Sequence, residues 1–275
     1  MDKPTKNMLT FFIATFLLTW ACYAPIAITG NSPYQMPWMT LLILGGAGPS
    51  IVGVAMAFLA LDKAERREYW LRCFSPRRIS PLWWLIIFVL FPIIYVVVGA
   101  LAQWMGSPLP GMEKFTDLMA NPAMWPLAAF ISFMSGPWSE EFGWRGVSLE
   151  PMLKRFGVIP GTALLGIIWG VWHLPLFFMP ATWHGQMGFQ LAGFWMFIVY
   201  SIGLSLLMTW VYQNTERSIL SGMLMHFTSN FTSQLSDPTS PQFQIIRALA
   251  FLIIGLVVVA VGKRQKQSES KDGWK

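Results

Sequence analysis

Long apolar runs constrain this chain more than any other feature. Eight of them approach the roughly 20 residues that a helix needs to cross a bilayer, at 8–28, 38–61, 82–105, 123–137, 158–179, 191–212, 219–235 and 245–261. Charged residues make up only 12% of the 275, about half the share in soluble domains. Because backbone polar groups must be paired inside lipid, the runs predict an all-α polytopic membrane protein of about eight transmembrane helices.

The basic residues indicate how such a chain lies in the membrane. If both termini are cytoplasmic, most of the 19 Lys and Arg residues fall on the cytoplasmic side, which is the positive-inside pattern. The net charge of +6 is then explained by the orientation of the chain in the membrane and by attraction to anionic lipid. We therefore expect no nucleic-acid partner. Composition also excludes an ordinary soluble enzyme and a disulfide-framed secreted module. The sequence predicts one membrane-embedded domain over 1–275, with a mobile cytoplasmic tail at 263–275.

A few polar side chains fall at membrane depth inside these runs. Ionisable groups there are costly and usually face a bundle interior or a wet cavity, so each one is a functional candidate. A helical rise of about 1.5 Å per residue places those of three separate helices in one broad layer. We therefore expect the helices to enclose an intramembrane catalytic cavity. The residues concerned are Glu140, Glu141, Arg145, His173, His226 and Asn230.

The acidic pair and the arginine share one short segment. Glu141 and Arg145 are four residues apart, so a helix would bring them together as an ion pair. Glu140 points about 100° away and stays free of that pair. Gly136-Pro137 predicts a helix start or break just before it, which would leave Glu140 near a positive dipole end.

The histidines differ in their surroundings. His226 and Asn230 share a helix face. Trp169 lies one turn before His173, so its indole can form a wall beside the imidazole. His184 falls in a loop and is expected to be solvated. Arg247 is expected to extend its side chain to the outer membrane interface.

This set of groups is suited to peptide hydrolysis. A carboxylate and an imidazole that face one water can deprotonate it. A second imidazole and an amide can donate hydrogen bonds to an oxyanion. The same residues also permit a zinc site formed by Glu140, His173 and His226, with an open position for water, although the H-E-x-x-H spacing is absent. A site without a cofactor and a zinc site both remain open at this point.

Three motifs resemble those of a known family. Glu140-Glu141-Phe142-Gly143-Trp144-Arg145 matches EExxxR, Trp169 to His173 resembles an aromatic followed by xxxH, and His226 to Asn230 resembles HxxxN. In this order they are typical of the CPBP (CAAX protease and bacteriocin-processing) family of intramembrane proteases, which includes the type II CAAX prenyl endopeptidases. The resemblance covers a motif core of about 125–235. Trp169 departs from the family, where Phe is common.

The resemblance implies an intramembrane endopeptidase of the glutamate type, without a bound metal. By this comparison Glu140 and His173 activate water, His226 and Asn230 stabilise the oxyanion, and Glu141 and Arg145 organise the motif helix. The implied partner is a peptide or protein substrate, lipidated in some members, and the implied location is a bacterial plasma membrane. A transporter and a non-catalytic bacteriocin-immunity protein with a buried polar site are the alternatives.

Overall fold

The fold is built from helices that follow the apolar runs. The computed structural model describes residues 3–107, 111–235 and 240–272, with side chains only to residue 262 in the last range, and these contain no strand. The predicted all-α class is confirmed. The α-helices are α1 (Lys3–Thr29), α2 (Trp38–Gly46), α3 (Gly48–Leu59), α4 (Lys63–Phe74), α5 (Pro81–Trp104), α6 (Glu113–Ala120), α7 (Trp125–Phe133), α8 (Ser139–Gly143), α9 (Leu149–Phe156), α10 (Val158–Trp172), α11 (Trp183–Met187), α12 (Met196–Asn214), α13 (Ile219–Leu235) and α14 (Pro241–Asp272).

Several of these helices have the length and apolar character of membrane spans. Within the described ranges five segments qualify: Lys3–Thr29, Pro81–Trp104, Val158–Phe178, Leu191–Asn214 and Pro241–Gly262. A sixth is obtained if α2 and α3, which meet at an angle of 50°, form one bent span. The chain is therefore a multi-pass membrane protein.

Two of the eight predicted spans are shorter than expected. Segment 123–137 contains α7, which has 9 residues, and segment 219–235 forms α13, which has 17. In both, polar residues or a Gly-Pro pair replace the apolar residues that a lipid-facing span requires. Polar side chains of these two segments line a cavity inside the bundle instead.

Contacts between segments near the helix ends define the two ends of the bundle. At what we call the basic end, Arg72 Nε donates to the Arg217 carbonyl at 2.8 Å. At what we call the mouth end, Ser107 Oγ donates to Ser240 Oγ at 2.8 Å. The chain runs between these ends along α1, α2–α3, α5, α7–α9, α10, α12, α13 and α14 in turn. Of the eight predicted segments, five, or six with the bent pair, have the character of membrane spans within the described residues. Residues 3 and 262 lie at the basic end, next to Glu65 and Trp210 respectively.

The predicted tail at 263–275 is only partly covered. Helix α14 continues into it as far as Asp272, residues 273–275 lie outside the described residues, and the side chains after 262 are not described. Its mobility remains a prediction.

Close backbone packing positions α8 in the interior. A Cβ at Gly53 would lie 2.6 Å from the Phe142 carbonyl oxygen, and one at Gly143 would clash with the Pro49 carbonyl oxygen. Helices α3 and α8 therefore touch through glycine, where no larger residue fits. Ser50 Oγ also donates to the Trp138 carbonyl at 2.9 Å. These contacts hold the acidic segment against a rigid neighbour.

Candidate active site

A cavity of about 300 Å³ collects the predicted polar residues in one place. Glu140 comes from α8, His173 follows α10, and His226 and Asn230 lie on α13. All four line this cavity, which extends towards Lys114 and the mouth end of the bundle. The broad layer expected from helical rise is therefore one shared space.

The acidic segment is part of an unusual stretch of helix. Residues Met134–Trp138 and Trp144–Ser148 are π-helical and flank α8 on both sides. A π-turn widens the helix and so accommodates Pro137 without ending it. The predicted start or break at Gly136-Pro137 is present as this interruption of the α-helix, directly before α8 begins at Ser139. The helical path nevertheless continues through it, so Glu140 does not follow a free helix end.

Two indole groups hold one oxygen of Glu140. Trp169 Nε1 donates to Glu140 Oε2 at 2.6 Å, and Trp144 Nε1 donates to the same oxygen at 3.2 Å. Glu140 itself is 4% exposed. With Oε2 bound twice, the carboxylate is oriented and Oε1 is left for a ligand in the cavity.

Trp169 also contacts three of the other polar groups. Its ring centre lies 5.9 Å from that of His173 and 5.2 Å from that of His226. The Arg145 guanidinium lies 4.9 Å from its ring centre. Trp169 therefore does more than form the predicted wall, because its N–H group is a polar contact that a phenylalanine would lack.

Glu141 contacts two other polar side chains in the interior. Arg145 Nη1 lies 3.1 Å from the Glu141 carboxylate, and both side chains are almost fully buried. The predicted ion pair is thus present. His226 Nδ1 lies 2.8 Å from Glu141 Oε1, so the same carboxylate also orients the imidazole ring. Since a carboxylate only accepts, His226 donates from Nδ1 whenever Glu141 is ionised.

The other face of His226 adjoins a glycine. A Cβ built on Gly136 would lie 2.9 Å from His226 Nε2 and 2.7 Å from Asn230 Nδ2. Both nitrogens therefore point at the same small space, which exists because residue 136 has no side chain. The space is suited to an oxygen atom that accepts from two donors.

His173 has a defined tautomer. Its Nδ1 lies 2.8 Å from the Trp169 carbonyl oxygen, an atom that only accepts, so Nδ1 carries the proton and Nε2 is an acceptor in the neutral ring. His173 can therefore receive a proton from the cavity.

The residues of the zinc alternative do not form a ready-made metal cluster. The described residues contain no group of three or more His, Cys, Asp or Glu side chains that could hold a metal ion. Glu140 Oε2 is bound by two indoles, His226 Nδ1 by Glu141 and His173 Nδ1 by a backbone carbonyl. The atoms that could still coordinate an ion are Glu140 Oε1, His226 Nε2 and His173 Nε2.

Two expectations for residues outside the motifs are wrong. His184 is not simply solvated, because its ring stacks on that of His173 at 5.3 Å and lines the cavity. Arg247 does not reach the membrane interface, because it is only 2% exposed and faces Tyr200 and Tyr95 within the bundle.

Trp144 and Gly136 were not singled out as site residues from the sequence. Trp144 lies four residues after Glu140, so the same spacing rule that paired Glu141 with Arg145 would have found it. No sequence spacing identifies Gly136, because its role depends on the side chains of α13 that approach it.

Comparisons with known proteins agree with the motif resemblance. Residues 122–232 match the model of a family described as type II CAAX prenyl endopeptidase Rce1-like. The chain is also 22% identical over 263 residues to "CAAX prenyl protease 2" of Methanococcus maripaludis, covering 92% of this chain and 93% of that protein. The predicted resemblance to the CPBP family is thereby confirmed.

Proposed function

We propose that this CPBP-like membrane protein is an intramembrane endopeptidase that activates water with Glu140 and His173. The observation that carries the proposal is the convergence of a carboxylate, two imidazoles and an amide on one cavity inside the bundle. The similarity to a CAAX prenyl protease supports the same reaction class.

The water-activating half of the site uses Glu140 and His173. A water held between Glu140 Oε1 and His173 Nε2 loses a proton to the carboxylate as its oxygen attacks the peptide carbonyl carbon. The proton then passes to the amine nitrogen as the C–N bond breaks, so the catalyst is regenerated. Both indole donors to Oε2 remain in place during this exchange.

The opposite half of the site receives the oxyanion. Asn230 Nδ2 and His226 Nε2 face the space beside Gly136, where the carbonyl oxygen of the substrate gains negative charge. Because Nδ1 of His226 already donates to Glu141, donation from Nε2 requires the imidazolium form. The Glu141 carboxylate stabilises that charge. The same carboxylate also pairs with Arg145.

The reaction can be tested with isotopic water and a chelator. Purified protein is incubated with a lipidated peptide in H2(18)O, and the products are analysed by mass spectrometry. We expect one heavy oxygen in the new carboxyl group and full activity after treatment with EDTA or phenanthroline. Loss of activity in chelator, with recovery on adding zinc, would contradict the metal-free mechanism. An intact peptide together with solute flux into liposomes would favour a transporter.

The hydrogen bond from Trp169 gives a second test. Trp169→Phe retains an aromatic ring but removes the 2.6 Å donor to Glu140, and we expect kcat to fall about tenfold, the loss of a hydrogen bond to a charged group. Trp144→Phe removes the longer, 3.2 Å bond and should have a smaller effect. Peptide turnover with each variant, compared at matched thermal stability, measures both. Equal, unchanged rates for the two variants would rule out this orienting role.

The charge distribution and the apolar surface support a proposal for the location and the partners. Exposed apolar side chains such as Leu17, Val96 and Ile253 form an outer surface suited to lipid. We place the basic end and both termini in the cytoplasm of a bacterium, with the protein in the plasma membrane. The cavity then opens at the opposite end. The substrate is a peptide or protein, lipidated as in the CAAX-processing relative or related to bacteriocin processing, and nucleic acid is not a partner.

A further inference from the structure

The polar face of α13 continues beyond the two residues already assigned to the site. Four of its side chains line the cavity, and their intervals of three and four residues place them on one side of the helix. They are His226, Asn230, Ser233 and Gln234. Phe231 lies on another side of α13, with its ring centre 5.8 Å from that of Trp125 on α7. Beyond Asn230, the wall that α13 gives to the cavity is therefore polar and uncharged.

Contacts on two sides fix the rotation of α13 about its axis. Thr228 Oγ1 donates to the Ile87 carbonyl on α5 at 2.9 Å. Ser229 Oγ lies within a 2.9 Å hydrogen bond of Tyr200 Oη on α12. These neighbouring helices hold the polar face of α13 towards the cavity.

The amide group of Gln234 is oriented by a serine of α7. Ser132 is fully buried, and its Oγ donates to Gln234 Oε1 at 2.7 Å. The amide oxygen is therefore occupied, and no acceptor among the described residues is paired with the amide nitrogen Nε2. A side-chain amide nitrogen carries two N–H donors. Gln234 thus presents unused donors beside the cavity from a fixed position.

We propose that Gln234 donates from Nε2 to a main-chain carbonyl of the substrate peptide, two residues from the bond that is cleaved, an inference that rests on the proposed endopeptidase function. In an extended peptide every second residue turns its carbonyl to the same side, which is a spacing of about 6.6 Å. Asn230 and Gln234 are separated by about 6 Å along the axis of α13. A peptide that runs along α13 with its scissile carbonyl beside Asn230 therefore brings another carbonyl to Gln234.

The direction of α13 shows which part of the substrate makes this contact. The helix runs from the basic end towards the mouth end, so Gln234 lies closer to the mouth than Asn230 does. Ser135 and Ser233 line the same cavity, and a hydroxyl group can donate or accept. This part of the wall contacts main-chain groups that every peptide has. It holds the flank of the substrate that leads out of the cavity, whatever the side chains of that flank are.

Peptides with single ester bonds test the contact. The lipidated peptide cleaved in the isotope assay is compared with analogues in which one backbone amide is replaced by an ester, which makes one carbonyl a weaker acceptor. Replacements are made two residues before and two residues after the scissile carbonyl, and at the adjoining positions. We expect kcat/KM to fall about 3–10-fold at one of the first two positions, mainly through KM, since one neutral hydrogen bond is weakened. Equal losses at every position, or no loss at any, would refute the contact.

Variants of Gln234 connect the effect to that side chain. Gln234→Glu keeps the shape and the oxygen that accepts from Ser132 but removes both N–H donors. In this variant we expect kcat/KM for the all-amide peptide to fall to the wild-type value for the ester, and the difference between the two peptides to vanish. Gln234→Met removes the donors without adding charge, which covers the case in which the carboxylate disturbs the fold. If these variants are folded and still distinguish amide from ester as the wild type does, the role of Gln234 is wrong.

Two further variants separate substrate binding from support of the helix. Ser132→Ala releases the Gln234 amide, and we expect it to lose part of the discrimination between amide and ester. It should cause no further loss of discrimination in the Gln234→Met background, because Ser132 acts through Gln234. Gln103→Met is the matched control, since it removes an exposed glutamine of α5 near the mouth end. This control should keep the wild-type discrimination.

The outcomes also distinguish this inference from the proposed function. If cleavage requires Glu140 but no ester position depends on Gln234, the contact is wrong and the endopeptidase stands. If cleavage does not require Glu140, the proposed function itself fails.

Discussion

Glu140→Gln is expected to lower kcat by about 10³-fold, within the range for loss of a general base. The amide has the same shape, and its oxygen can still accept from Trp169 Nε1 and Trp144 Nε1, so the local structure should persist. What is lost is the ability to take a proton from water. The measurement is single-turnover cleavage of a lipidated peptide in detergent.

The matched control for this variant is Glu68→Gln. Glu68 forms an ion pair with Arg78 at 2.8 Å near the basic end, away from the cavity, and its replacement should leave kcat within about twofold, as for an exposed pair of small energetic value. A folded Glu140→Gln protein that cleaves as fast as this control would eliminate Glu140 as the base.

Gly136→Ala is expected to lower kcat by about 10²–10³-fold, comparable to the loss of an oxyanion-hole donor. The new methyl group would lie 2.7 Å from Asn230 Nδ2 and 2.9 Å from His226 Nε2, which is closer than van der Waals contact. His226 cannot easily retreat, because Glu141 holds its other nitrogen at 2.8 Å. The methyl therefore occupies the position of the substrate oxygen or displaces its donors.

Gly99→Ala is the control for the added methyl group. Gly99 lies in α5, and a Cβ there meets nothing within 4 Å, so activity should be unchanged and stability equal or slightly higher. If Gly136→Ala acts through the oxyanion space, combining it with Asn230→Ala should cost little more than either change alone. Strictly additive losses would mean that the two residues act independently.

Much of the helical path was predictable from local pattern. The apolar runs identified the segments that became passes through the bundle, and the spacing of Glu141 and Arg145 identified their ion pair. Such features depend on residues close in sequence, for which the helix fixes the geometry. The loss of regular helix around Gly136-Pro137 was also predicted, but not its π-helical form, because a π-turn and a complete interruption have the same local residues.

The surroundings of individual polar groups were less predictable. Arg247 and His184 each lie near the end of an apolar segment, where a solvated or interfacial position is the usual expectation. Their actual neighbours, Tyr200 for Arg247 and His173 for His184, come from other helices. Nothing within a few residues of either side chain indicates those contacts.

The amino-acid sequence alone determined that the chain is a helical membrane protein, and it singled out the acid, histidines and amide that line one cavity, since hydropathy and helical spacing are local properties. Only the tertiary structure decided how they face one another: two indoles on one oxygen of Glu140, Glu141 shared between Arg145 and His226, and an open space at Gly136. These relations depend on helix rotation and on close backbone approach at glycine. Both are set by packing over the whole bundle rather than by any single segment.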